Sequence, residues 1–291
     1  MSFTFYKFQA VGNDFLIVER DQLGATDDIG SLVRRMCHRH LGVGADGLMI
    51  VAPAHDHHEA DFQMRLFNAD GGEAEISGNG LRCVAAYLCL VRAWPSPELR
   101  IHTVVGVKKH HLLGRQGKRF QFQAEIGMPR LGSADIPMTL DRELPRVVAC
   151  PLDVGDQVVA ITACSLGNPH AVLFYHDFNE VDVHQLGPRV ERHPIFPRRT
   201  NVEFVRVIDR SRIELRIWER GVGVTLSSGT GSSAAVVASV LNGYTDRTVT
   251  VITPIGELLV VWRDDDVITV TGWAEAVFKG EWDVSGVEYG G

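Results

Sequence analysis

The feature that most constrains this chain is a repeat at half its own length. Residues 65–80, RLFNADGGEAEISGNG, align without a gap on residues 216–231, RIWERGVGVTLSSGTG, so that Ser77 stands over Ser228, 151 residues further along a chain of 291. That period is far longer than the roughly 20–50 residues of solenoid repeats, and it predicts two halves of domain size related by pseudo-symmetry. Arg65 matches Arg216, Phe67 matches Trp218 and Gly72 matches Gly223. The tetrads Ser77-Gly78-Asn79-Gly80 and Ser228-Gly229-Thr230-Gly231 coincide. Past the tetrads both copies continue as apolar stretches rich in small residues and free of proline, LRCVAAYLCLVRA and SSAAVVASVLNGY. Each predicts a buried helix of about 12 residues. A fainter echo pairs VGNDFLIVER, from Val11, with LGNPHAVLFY, from Leu166.

Around the helices, β-rich segments lie at 48–51, 62–67, 119–124, 158–162, 171–175, 212–218, 248–253 and 267–271. Few are separated by helix-length sequence, which predicts an antiparallel α+β fold rather than a βαβ sheet. The Gly/Pro-punctuated stretch 126–138, IGMPRLGSADIPM, reads as a linker.

A Ser-Gly-X-Gly turn that opens a buried helix aims several unpaired backbone N–H groups at one spot, with the positive end of the helix dipole behind them. Each tetrad can therefore hold a carboxylate. One alone is an ordinary serine N-cap. Two in register suggest a pair of anion-binding helix ends serving one ligand. Asn13, Asn68, Asn168 and Asn201 sit in apolar contexts, where an unpaired amide costs about 1–3 kcal/mol. Turn formation accounts for such residues as readily as ligand binding does. His170 by itself reads as a satisfied core histidine, and Glu219-Arg220 as a surface pair.

The net charge of −7 disfavours a nucleic-acid or anionic-membrane partner and leaves a small molecule as the expected one. The apolar run 84–91 is too short to span a bilayer, and with no leader-like start the chain reads as cytoplasmic. Five scattered cysteines, Cys37, Cys83, Cys89, Cys150 and Cys164, read as buried thiols, and His55, His57 and His58 as a solvated loop rather than a metal site.

In order and spacing, the motifs GNDF from Gly12, GVGADG from Gly42, FNADG from Phe67, SGNGLRC from Ser77, GNPH from Gly167, RTNVEF from Arg199, ERGVG from Glu219 and SGTG from Ser228 resemble those of the diaminopimelate epimerases. The resemblance implies two pseudo-symmetric β-rich halves, each wrapped around a central helix. Residues 1–127 with a returning strand at 273–291 would form one half, and 128–272 the other. It further implies a homodimer that inverts one α-carbon of LL-diaminopimelate to give the meso form, with neither cofactor nor metal, for lysine and cell-wall synthesis. Two bases act on opposite faces of that carbon. Gly78, Asn79, Gly229 and Thr230 would present amides to the reacting carboxylate, with Asn13 nearby. Asn68, Asn168, Asn201, Glu219 and Arg220 would hold the distal amino-acid end.

The chain departs from the family where the chemistry is most exacting. Family members open both tetrads with the catalytic cysteines, and here Ser77 and Ser228 stand instead. A serine cannot hold the anion that a thiolate holds near neutral pH. Val224, Ser227, Ser232 and Ser233 also depart from the family pattern, which reads as divergence of the whole helix start. His170 and Glu219, which the resemblance places next to Ser77 and Ser228, are then the expected proton-exchanging groups, either with the serines relaying to them or acting directly. Two other readings stay open: a catalytically silent homologue that binds a small amino acid, and an isomerase or racemase of the same fold with another substrate.

Overall fold

The computed structural model describes residues 2–24, 28–55, 59–74 and 76–283. His57 and His58 lie outside them. The chain divides into two compact units, Met1–Ala124 with Gly272–Gly291, and Glu125–Thr271.

In the first unit the strands are β1 (Ser2–Ala10), β2 (Asn13–Glu19), β3 (Gly47–Pro53), β4 (Phe62–Asn68), the two-residue β5 (Glu73–Ala74), β6 (Glu98–Thr103), β7 (Gly106–Gln116) and β8 (Arg119–Gly127). Helix α1 spans Ile29–Cys37 and α2 spans Gly78–Val91. The long last strand of the chain, β17 (Ile268–Asp283), starts in the second unit and pairs in the first with β1 and β8. Hydrogen bonding runs β1–β2–β3–β4–β6–β7–β8–β17 and back to β1, an eight-stranded closed barrel. Closure leaves no main edge strand to be protected.

The second unit repeats the order with β9 (Val147–Asp153), β10 (Val158–Ser165), β11 (Pro169–Phe174), α3 (Val183–Glu191), β12 (Asn201–Asp209), β13 (Arg212–Glu219), β14 (Gly223–Thr225), α4 (Gly229–Leu241), β15 (Thr248–Thr253) and β16 (Gly256–Trp262). Shifted by the repeat distance, β4, β5, α2, β6 and β7 fall on β13, β14, α4, β15 and β16. The repeat seen in 16 residues of sequence thus extends through five elements.

The antiparallel expectation needs correction. Among the described residues four pairings are parallel: β2 with β3, β4 with β6, β11 with β12, and β13 with β15. Each is bridged by a helix, α1, α2, α3 or α4, and the crossovers through α1 and α3 were invisible as helices in the sequence. Helix α3 carries Pro188 inside it and α1 has only nine residues, so neither shows a long periodic stripe. The linker expected at 126–138 is also corrected. Residues 126–127 finish β8, Arg130 bridges to Ser165, and Ile136 is fully buried in a core with Val147, Ile161 and Phe204.

Helix α2 is buried from Asn79 through Leu88, and it packs on Phe8, Phe15, Met49, Phe120 and Phe122. Helix α4 is buried at Gly229 and from Gly231 through Ser239. A helix apolar on every side can only be satisfied by protein all round it. No helix among the described residues is long and apolar enough to cross a membrane.

Candidate active site

Both tetrads form the helix starts that their sequences predict. Ser77 is extended (φ −135°, ψ 121°) and its hydroxyl accepts the Gly80 N–H at 3.1 Å. Ser228 repeats this at φ −144°, ψ 130°, accepting from Gly231 at 3.2 Å. The glycines divide their work. A Cβ on Gly80 would sit 2.3 Å from Cε of Met49, so a side chain there would force the end of that methionine to move where α2 lies on β3. At Gly78 and Gly229 a Cβ would meet nothing within 4 Å, so each first turn is open to an approaching group.

In the first unit the tetrad is tied to Asn13. The turn before it holds Val11 at φ 50° and Gly12 at φ 75°, with Gly12 N–H donating to Oε1 of Gln9. Asn13 donates to Asp46 at 2.5 Å and accepts from Nδ2 of Asn79 at 3.5 Å. Asp46 and Asp14 are held by Arg39 at 2.6 and 2.8 Å, and Asp14 also by Lys7 at 2.8 Å. Burial works to raise the Asp14 carboxyl, but hydrogen bonds from Arg39 and Lys7 outweigh it and hold Asp14 below the ordinary carboxylate range. Asn68 ends β4, exposed, in a turn tethered by the Ala69 N–H to the Asp46 carbonyl at 3.1 Å; its own amide joins none of these bonds.

In the second unit His170 is 1% exposed, with Nδ1 2.7 Å from Oε1 of Glu203 and Nε2 2.9 Å from Oδ1 of Asn168. Since the Asn168 oxygen only accepts, Nε2 carries a proton. Burial pushes the Glu203 carboxyl up, against the pull of His170. Glu219, at the end of β13, is raised in the same direction by burial, opposed by the hydroxyl of Ser228. The hydroxyl of Thr230 lies 3.5 Å from that of Ser228. Asn201 is spent on structure: it donates to the Pro169 carbonyl at 3.2 Å and accepts the Arg220 N–H at 2.9 Å. The exposed Arg220 guanidinium rests on the Arg198 carbonyl at 3.0 Å.

The structure thus gathers Asn13 with Asn79, His170 with Asn168, and Glu219 with Ser228, and sets Asn68 apart. Sequence reasoning missed the residues behind them. Glu203 and Glu191 are fully buried, the latter accepting from Trp218 Nε1 at 2.9 Å and Gly221 N–H at 3.0 Å and so fixing the turn that carries Arg220. Arg82, Asp46 and Arg39 belong with them. A charged residue inside an apolar run, as in NVEFV and GLRCVAA, was the available signal.

The raised Glu219 carboxyl makes a prediction with a definite sign. The folded state binds this proton more tightly than the unfolded chain, so stability is lost as pH rises from the ordinary carboxyl range through the raised value. Glu219→Gln, which stays neutral, is expected to melt above the parent at pH 8 and with it at pH 4. The same difference at both pH values would show that the carboxyl is not raised.

The diaminopimelate epimerase family model matches residues 5–128 and 162–277. A relative from Pelotomaculum thermopropionicum named diaminopimelate epimerase is 44% identical over 280 residues, covering 96% of this chain and 98% of its own. Another of that name, from Halothermothrix orenii, is 40% identical and covers 97% and 98%. Among solved structures, a predicted epimerase from Pseudomonas aeruginosa aligns at TM-score 0.66 and 16% identity over 97% of this chain and 99% of its own. A hydroxyproline epimerase from Agrobacterium vitis with bound trans-4-hydroxy-L-proline aligns at 0.65 and 15% over 96% and 92%. These distant structures share the fold. The family model and full-length relatives go further, and by them this chain belongs to the diaminopimelate epimerase family.

Proposed function

We propose that this chain inverts one α-carbon of LL-diaminopimelate to give meso-diaminopimelate, without a cofactor, in lysine and cell-wall synthesis. The observation that carries the reading is the juxtaposition of a serine-capped helix start, Ser228, with the raised carboxyl of Glu219. A carbon acid next to a carboxylate needs a base for its proton and donors for the charge that forms on the carboxylate oxygens. The amides of Gly78 and Asn79 and of Gly229 and Thr230 supply the donors, with Asn13 beside the first pair. Glu219 and the His170–Glu203 pair exchange protons. Ser228 relays a proton to Glu219 without holding charge, and Ser77 takes the corresponding place at the other helix start. Glu219 and Arg220, with Asn68, Asn168 and Asn201, hold the distal amino-acid end.

In the same reading residues 1–127 with 273–291, and 128–272, are two functional halves, each wrapped around its central helix. All-round burial of α2 and of most of α4 supports this. The reading also makes the protein a cytoplasmic homodimer, as the family resemblance implies. Incubating LL-diaminopimelate with the protein and resolving the stereoisomers by chromatography tests the proposal. Conversion toward a mixture of LL and meso forms is expected; no meso product at stoichiometric enzyme would refute it.

The distal contact has its own test. Arg220→Lys keeps the charge but loses the planar fork that engages a carboxylate with two parallel bonds. Binding of diaminopimelate is expected to weaken by about tenfold or more, the order of one charge-assisted hydrogen bond, while a monocarboxylate amino acid loses little. Equal losses in calorimetry would show that Arg220 does not read the distal end.

A further inference from the structure

Arg82 is among the largest fully buried side chains of the protein, 1% exposed, in the second turn of α2. Burying a guanidinium is costly unless it is paired. Among the described residues this one forms no ion pair. Its Nε has no hydrogen-bond partner, and one terminal nitrogen donates to Oδ1 of Asn79. The nearby Asp14 and Asp46 do not neutralise it, because Lys7 and Arg39 already match their two charges. His110 adds no second charge: burial and the Arg82 field push its imidazole down to about 3, so it stays neutral. Arg82 itself, lowered by burial to about 10, remains protonated at neutral pH.

The geometry points to Arg82 as the cation built into the N-terminus of α2: it pins the Asn79 side chain and makes that helix start electropositive, strengthening its hold on a substrate carboxylate. This rests on the epimerase reading given above. Two observations beyond the helix end support it. The bonds run in one sense, from Arg82 to the Asn79 oxygen, from Asn79 Nδ2 to the Asn13 oxygen, and from Asn13 Nδ2 to Asp46. Both amides are thereby oriented, and each Nδ2 keeps a second hydrogen for a ligand. The other observation is the asymmetry of the repeat. Where the first unit has Arg82 the second has Ser233, whose hydroxyl merely closes on the Gly229 carbonyl at 2.8 Å. The groups near the start of α4 are instead the fully buried carboxyl of Glu203 and the half-buried one of Glu219, with Oε1 of Glu203 only 3.1 Å from where a Cβ on Gly231 would lie. One helix start is backed by a buried cation and the other by proton-binding carboxyls. Arg82 is a positioning residue, acting through Asn79 and through its field.

A thiol at the α2 cap reads that field without any turnover. In the Ser77→Cys variant, the pH dependence of iodoacetamide alkylation gives the thiol's acidity, with the parent's reactivity subtracted for the native cysteines. Removing the charge with Arg82→Met is expected to raise that thiol by about one pKa unit, the size typical of a cation within a turn's distance, and so slow alkylation at pH 7 about tenfold. Arg82→Lys, which keeps the charge and loses the planar contact, is expected to restore most of the acidity. Arg82→Gln repeats the neutral case with a polar side chain, should methionine disturb packing. Unchanged acidity in the folded neutral variants would overturn the proposal, as would a lysine variant that behaves like the neutral ones. Because no substrate is present, failure here is separate from failure of the epimerase reading, which substrate conversion decides.

Discussion

Replacing Glu219 with glutamine is expected to lower epimerase turnover by about 10²–10⁴-fold, the usual worth of a general base, while the protein stays folded. The carboxyl is raised by burial and lies beside the Ser228 hydroxyl, so it can accept a proton that serine passes on and return it without a large penalty. Glutamine has the same shape and cannot take the proton. His170→Asn is expected to cost a similar factor by a different route, since it leaves the buried Glu203 carboxyl without its ring partner and frees Asn168. In the parent, turnover should rise with pH above the ordinary carboxyl range, as Glu219 comes to accept protons. Steady-state kinetics across pH 4–9 check both variants. Parent-like turnover in Glu219→Gln would remove the carboxylate from the mechanism.

The second large effect runs in the opposite direction. Ser77→Cys and Ser228→Cys together are expected to raise turnover at least about 100-fold, equivalent to about 2.7 kcal/mol of barrier. A thiol titrates near 8.5 and lower at a helix N-terminus, whereas a hydroxyl about five units weaker pays roughly 7 kcal/mol more to become an anion. Both serines already cap their helices in the same extended geometry, so the thiols would enter prepared positions. The gain should be smaller than the full acidity difference, because Glu219 and His170 already carry part of the proton traffic. A folded double variant with no gain would show that these positions do not meet the reacting proton.

The repeat was legible because each copy needs the same three things in the same order: a strand, a glycine turn and an apolar helix. Those needs are local, so the 16-residue match pointed correctly to α2 and α4 and to their serine caps. Helices α1 and α3 left weaker marks. In each, four residues are buried, and Pro188 interrupts the second, so the parallel pairings they allow emerge only from the folded chain. The apparent linker at 126–138 shows the limit of punctuation: proline and glycine mark turns, and burial of Ile136 is a tertiary fact. Site residues followed the same division. Ser77, Asn13, His170 and Glu219 were read directly from their motifs; Glu203 and Arg82 also stood in motifs, RTNVEF and SGNGLRC, but act by bonding to His170 and Asn79, and Glu191 acts by bonding to Trp218 and the Gly221 N–H. The importance of Glu203 and Glu191 depends on long-range contacts that sequence spacing does not encode, and that of Arg82 on its burial.

The most direct test of the central claim is the fate of the substrate's α-hydrogen in D₂O. With LL-diaminopimelate and the unaltered protein, proton NMR should show the α-¹H signal falling as deuterium enters, together with appearance of the meso form. A two-base inversion must break that C–H bond and deliver a solvent-derived hydrogen to the opposite face. Full retention of the α-¹H signal, with calorimetry showing that the same protein binds the ligand, would contradict the account and leave a site that holds the substrate without turning it over.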